Sequence, residues 1–211
     1  MNKTEINKLL GMVLNEEMTD LGKLENIKGY LMDQLVLENA KQKGGNFKKQ
    51  VQEAKKFLKS INGARPILKY VDYQDGYQVF TDSYVLYKMA NHIEGLPYHE
   101  NQNGTYPDVR EFVPKEDNCE NVTRLNNLND ALVVADLMKA NKQKQVSKEY
   151  NYMIKGAHSE AYVNPLFVKQ MLNILADDIE NIEIYYVGSM RPILFKNSRG
   201  DYAIIVPVRF E

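Results

Sequence analysis

Residues 164–211 read NPLFVKQMLNILADDIENIEIYYVGSMRPILFKNSRGDYAIIVPVRFE, and this stretch decides the fold. Asn164 suits a helix N-cap, because its side-chain oxygen can accept an orphan backbone N–H. Pro165 fits the first helical position, where no N–H is needed. Phe167, Met171, Ile174 and Leu175 recur at helical spacing and give one apolar face. Three β-rich runs follow, at residues 182–187, 192–196 and 202–210, and NSRGD at 197–201 reads as a hairpin turn. The unit is helix, strand, hairpin. Pro207 inside the last run is unusual, since proline removes a ladder donor.

Upstream, residues 146–154 and 160–163 read as strands joined by the turn KGAHS at 155–159. Residues 115–145 hold a polar linker and a helix that Asn129 or Asp130 can cap, with Leu132, Val133, Leu137 and Met138 on its apolar side. Asn46 can cap a further helix reaching Ile61, in which Phe47, Val51, Ala54, Leu58 and Ile61 form one stripe. Its other faces carry Lys48, Lys49, Lys55, Lys56 and Lys59, with Glu53 the single acid. A solvated face is one reading of these lysines. Contact with nucleic-acid phosphates is the other, since lysines on a helix neutralise phosphates without reading bases. After Asn62-Gly63, two β-rich runs flank Asp75-Gly76, a strong hairpin signal. Residues 91–105 read as a loop.

Residues 1–43 read as helical, in two apolar stripes: Ile6, Leu9, Leu10, Val13 and Leu14, then Leu24, Ile27, Leu31, Leu35 and Leu37. Such stripes make a packing face or a partner-binding helix. Gly44-Gly45 ends this region.

Three segments resemble the bacterial sliding clamp, the DNA polymerase III beta subunit. Residues 202–210, YAIIVPVRF, are similar to the family's terminal Tyr-Val-Ile-Met-Pro-Met-Arg-Leu. Residues 65–68, RPIL, then a hairpin and TDSYVL at 81–86, are similar to Arg-Pro-Val-Leu, hairpin, Thr-Asp-Gly-His-Arg-Leu; here Ser83, Tyr84 and Val85 replace glycine, histidine and arginine. Residues 106–114, YPDVREFVP, are similar to Phe-Pro-Asp-Tyr-Arg-Arg-Val-Ile-Pro, with Glu111 replacing an arginine. The resemblance covers residues 46–114 and 146–211, in family order.

It implies an α+β, DNA-clamp-like fold: two helix-plus-antiparallel-sheet half-domains at 46–114 and 146–211, a helical linker at 115–145, and an added helical N-terminal region at 1–45. The clamp subunit has three domains of two half-domains each, so two half-domains amount to one clamp domain. The resemblance also implies a pocket for short peptides of replication proteins, with Thr81, Ser83, Tyr84, Leu86, Pro107, Phe112, Val206, Pro207, Val208 and Arg209 as its residues. It places Lys48, Lys49, Lys55, Lys56, Lys59 and Lys169 on a surface facing double-stranded DNA. The implied function is a non-enzymatic clamp-like role in DNA replication. The alternative is a peptide-binding adaptor or clamp competitor, of phage or mobile-element type, that does not encircle DNA. An unrelated helix-plus-sheet interaction protein is a third reading, since fold alone does not carry function.

Composition is consistent with these readings. With 211 residues the chain can bury a core without disulfides or metal. Lys+Arg of 27 against Asp+Glu of 28 excludes a generally polybasic protein, so DNA binding must come from a local patch. The single cysteine, Cys119, allows no internal disulfide, which fits a reducing cytoplasm. Lys3, Glu5 and Lys8 are unlike a signal peptide. The sequons at Asn103 and Asn121 then read as chance. His92, His99 and His158 lie in turn-like contexts without metal-ligand spacing, no nucleophile elbow or phosphate loop is present, and no cofactor or metal is expected.

Overall fold

A computed structural model describes residues 3–14, 18–42, 46–62, 65–99, 104–122 and 127–210. The Gly44-Gly45 and Gly63 breaks, Asn103 and Thr123 of the sequons lie outside the described residues. Contacts divide the chain into a unit of residues 1–48 and a unit of residues 49–211.

The first unit is a helical hairpin of α1 (Lys3–Val13) and α2 (Asp20–Gln42). Tyr30 of α2 is buried, and the Lys8 ammonium of α1 sits 4.5 Å above its ring. A cation over a ring face is attracted by the ring quadrupole.

In the second unit, α3 (Phe47–Ser60) precedes β1 (Asp72–Gln74), β2 (Tyr77–Thr81) and β3 (Val85–Met89). Then come β4 (Glu120–Asn121), α4 (Leu128–Ala140), β5 (Tyr152–Lys155), β6 (Glu160–Val163), α5 (Pro165–Leu175), β7 (Glu183–Tyr186), β8 (Ile193–Lys196) and β9 (Tyr202–Ile205). Seven strands form one open antiparallel sheet in the order β1-β2-β3-β9-β8-β7-β4, and β5-β6 form a separate ladder. The seam is β3 against β9, where Val85 faces Ile205 and Leu86 faces Ile204. Both sequence halves therefore share one sheet.

Local chemistry explains the turns. Asp75 and Gly76 take φ of 51° and 80°, the twist-compatible geometry that favours Asp-Gly in two-residue hairpins. At the β8–β9 turn Gly200 takes φ 80°. The buried Asn197 side chain accepts from Arg199 N and Asp201 N at 3.0 and 2.9 Å and donates to Leu175 O at 3.0 Å, tying the turn to the end of α5. The Asp177 carboxylate accepts from Ser198 N and Oγ. Partial burial works to raise the pKa of this carboxyl, but hydrogen bonds from Asn181, Ser198 and Asp178 outweigh it and hold the value at about 2.

Helices α3 and α5 cover one face of the sheet. Phe57 of α3 packs edge-on to Tyr87 at 5.2 Å and against Phe80 at 5.8 Å, and the Tyr87 hydroxyl donates to Gln170 of α5 at 3.4 Å. Gln50 links the two helices by donating to Ile174 O at 2.7 Å. Helix α4 packs along α5.

Three sequence expectations are corrected. The run at 202–210 is a strand only through Ile205. Val206 N still donates to Tyr84 O at 3.0 Å, but Pro207 has no N–H to continue the ladder. Val208 instead donates to Tyr162 O of β6 at 2.7 Å. The run at 146–154 becomes strand only at Tyr152, because Ser147 and Tyr150 close a turn on each other, both N–H···O distances being 3.2 Å. Helix α4 is capped by Asn127, whose side chain accepts from Asn129 N at 3.0 Å, and not by Asn129 or Asp130.

Candidate functional site

The end of β2 and the start of β3 are joined by a tight turn at residues 82–84. The Asp82 carboxylate accepts from Tyr84 N and Val85 N, both at 2.8 Å. Thr81 Oγ1 donates to Val85 O at 2.8 Å and accepts from Ser83 N at 3.0 Å. Burial lifts the Asp82 carboxyl above its ordinary pKa, although the N–H groups it accepts from pull the other way. Ser83 sits at φ 79°, a left-handed conformation that costs an L-residue energy and costs glycine little. Ser83→Gly is therefore expected to stabilise the fold by about 1 kcal/mol, read as a higher urea midpoint with unchanged slope. An unchanged or lower midpoint would contradict this account of the turn.

Beside this turn lies an apolar cavity of about 200 Å³, lined from four directions. The turn and β3 contribute Thr81, Ser83, Tyr84, Val85 and Leu86; the segment after the loop contributes Pro107, Val109 and Phe112. The C-terminal hairpin contributes Pro192, Ile204 and Val206, and Arg65 brings a cation. Tyr84, Phe112 and Val206 are 64, 59 and 42% exposed, so part of the apolar lining is open to solvent. The Pro107 segment is held in place by Gln74 of β1, which donates to Pro107 O at 2.8 Å and accepts from Val109 N at 3.0 Å. Arg110 and Asp108 form a forked ion pair, with Nη2 to Oδ2 at 2.5 Å, and the guanidinium holds the Asp108 pKa at about 2. A second, more open and more polar cavity of about 420 Å³ adjoins through Arg65, Ser83 and Tyr84.

Of the ten pocket residues expected from sequence, Thr81, Ser83, Tyr84, Leu86, Pro107, Phe112 and Val206 come together at this cavity. Pro207, Val208 and Arg209 do not line it, because the backbone leaves the ladder at Pro207 toward β6. Sequence reasoning missed Arg65, Val85, Val109, Pro192 and Ile204. Ile204 was within reach, since it lies two positions before Val206, where a strand returns to the same face.

The six lysines do not share one environment. Lys48, Lys49, Lys56 and Lys59 are exposed on α3, whose buried residues Val51, Ala54, Phe57 and Leu58 lie on the other side. Lys56 lies 3.7 Å from Glu53. Lys55 is half-buried, and Lys169 of α5 is paired with Asp136 of α4. Among the described residues no cluster of His, Cys, Asp and Glu is placed to hold a metal ion, and no helix is long and apolar enough to cross a membrane.

Among solved structures, the chain is similar to the beta subunit from the DNA polymerase of Streptococcus pyogenes, with a TM-score of 0.50 and 13% identity over 77% of this chain and 63% of that one. The fold is that of a bacterial sliding clamp. Two further clamp structures align less well. The DNA polymerase III beta chain from Streptococcus pneumoniae gives a TM-score of 0.47 at 16% identity, over 74% of this chain and 63% of that one. The beta subunit from Borrelia burgdorferi, solved with a natural product, gives 0.47 at 13%, over 77% and 63%. The chain thus spans 63% of the length of the Streptococcus pyogenes clamp. No protein-family model matches the sequence, and no curated protein does. In this sliding-clamp fold the cavity lies at the β3–β9 seam, where the two sequence halves meet.

Proposed function

We propose that this protein is a non-enzymatic, sliding-clamp-like docking module in DNA replication that takes short apolar peptide segments of replication proteins into the seam cavity. The observation that carries this reading is the cavity itself. Chain segments around residues 81–86, 107–112 and 192–206 converge on one small apolar hollow with an exposed aromatic rim. A concave apolar site with few polar groups suits capture of an extended or helical peptide by two or three side chains. The clamp fold supports the replication setting. Titration of the protein into a fluorescently labelled clamp-binding peptide tests it. Saturable binding, displaced by unlabelled peptide, is the expected result, and no binding at high micromolar protein removes the reading.

The exposed lysines of α3 support contact with double-stranded DNA as a second property. A gel shift at low salt separates a clamp that also holds DNA from an adaptor that does not, because phosphate contacts strengthen as salt falls. Weakening by Lys49→Ala with Lys59→Ala would assign the contact to α3.

A further inference from the structure

Outside the seam cavity, three exposed aromatic rings stand in contact at the β1 edge of the sheet. Tyr73 of β1 lies 4.9 Å from His92 and 5.2 Å from Tyr98, ring centroid to centroid. Tyr73 and Tyr98 are 47 and 50% exposed, and His92 is exposed. None of the three lines the seam cavity. A single exposed tyrosine is ordinary, whereas a contiguous row of rings in water marks a binding surface.

The row is fixed by the chain beneath it. Val71 N donates to Pro97 O and His99 N donates to Val71 O, both at 2.8 Å, so Tyr98 is clamped beside β1. At the other end the buried Gln78 accepts from Ile93 N at 2.9 Å and donates to Ile93 O at 3.2 Å, which sets the neighbouring His92. Gln78 also donates to the Tyr73 hydroxyl at 3.4 Å. His92 Nε2 lies 3.2 Å from Gly76 O, so the Asp75-Gly76 turn stands beside the rings. Rings held in this way lose little freedom when a ligand arrives.

Charge selects among the ligands that stack on rings. Residues 71–76 and 91–98, which carry the row, include Asp72, Asp75 and Glu94 and no lysine or arginine. Arg110, which Asp75 also attracts, is held by Asp108. Nucleobases stack on tyrosine, but these acids repel the phosphates that come with them. A guanidinium suits both features. Its plane stacks on a ring face, and its charge is drawn to the carboxylates. An ammonium meets the charge but lacks the plane.

We propose that this row is a second docking site, taking an arginine-bearing segment of a partner protein with guanidinium groups stacked on Tyr73 and Tyr98 beside Asp75. Fluorescence anisotropy of a short labelled Arg-Gly repeat peptide, titrated with the full chain at low salt, tests it. Saturable binding is expected, with a Lys-Gly repeat of equal charge several-fold weaker. Tyr98→Leu should weaken the Arg-Gly peptide by roughly tenfold. The backbone clamp at this position is untouched, so the circular dichroism should stay as it is. Asp75→Asn should weaken binding about threefold and keep the turn, since asparagine before glycine also suits this geometry. Val206→Asp, which alters the seam cavity, should leave Arg-Gly binding unchanged. No saturation at high micromolar protein overturns the proposal. So does a lysine peptide that binds as well as the arginine one, or a Tyr98→Leu chain that binds normally. Loss of Arg-Gly binding in Val206→Asp would place the peptide in the seam and overturn it too. Displacement by a short oligothymidylate would make the row a base-stacking platform, with the same consequence.

Discussion

A Val206→Asp chain is expected to bind a clamp-type peptide roughly a hundredfold more weakly than wild type, while its thermal midpoint stays within a few degrees. The two halves of this result have separate causes. Val206 is 42% exposed, and its structural contribution is the N–H that donates to Tyr84 O, which aspartate retains. The new carboxylate would stand in an apolar lining and lose its water when a peptide seats, with no partner in compensation. Arg209→Ala is the matched control. Arg209 lies in the same tail, is exposed and does not line the cavity, so binding should match wild type. A Val206→Asp chain that binds normally would place the peptide elsewhere. Equal losses in both variants would mean that a general disturbance of the tail, and not the cavity lining, is being measured.

Phe57→Ala should lower unfolding free energy by about 3–5 kcal/mol, the usual cost of removing a buried phenylalanine. Phe57 is 1% exposed and joins α3 to the sheet through Phe80 and Tyr87. The remaining hole has few ways to collapse, because Phe80 and Tyr87 are themselves fully buried on paired strands. Against a typical stability of about 5–15 kcal/mol, this is a large fraction. Urea unfolding followed by tyrosine fluorescence measures it, the chain having 14 tyrosines and no tryptophan. A loss below about 1 kcal/mol would show that α3 is not held by this aromatic cluster.

Elements whose signals are local were legible in the sequence. The Asn164-Pro165 start of α5, the Asp75-Gly76 turn and the lysine-bearing face of α3 each depend on residues within a turn or two of one another. The seven cavity residues that come together were found because three short segments, far apart in the chain, resembled one family in its own order. What escaped depended on competition between neighbours. Asn127 and Asn129 are both good caps, and only the backbone entering α4 decides between them. The resemblance implies Pro207 as a lining residue because its neighbours match the family. Its missing N–H ends the ladder one residue after Val206 and turns the backbone away. Arg65 and Pro192 reach the cavity through tertiary packing that no periodicity encodes.

The β3–β9 seam has a consequence for how the protein is made. Its paired residues lie about 120 positions apart, Val85 facing Ile205. Contacts this distant are paid for early, in lost chain entropy, and form late. At a synthesis rate of about 5–20 residues per second, β1–β3 wait on the order of ten seconds before β9 has been made. Throughout that interval β3 is an edge strand with an unfilled row of backbone donors and acceptors and carries Leu86 and Tyr87, the kind of edge that recruits stray chains. The nascent protein should therefore depend on holding chaperones more than its modest size implies. Slowing translation between residues 90 and 200 should raise aggregation more than slowing it before residue 70.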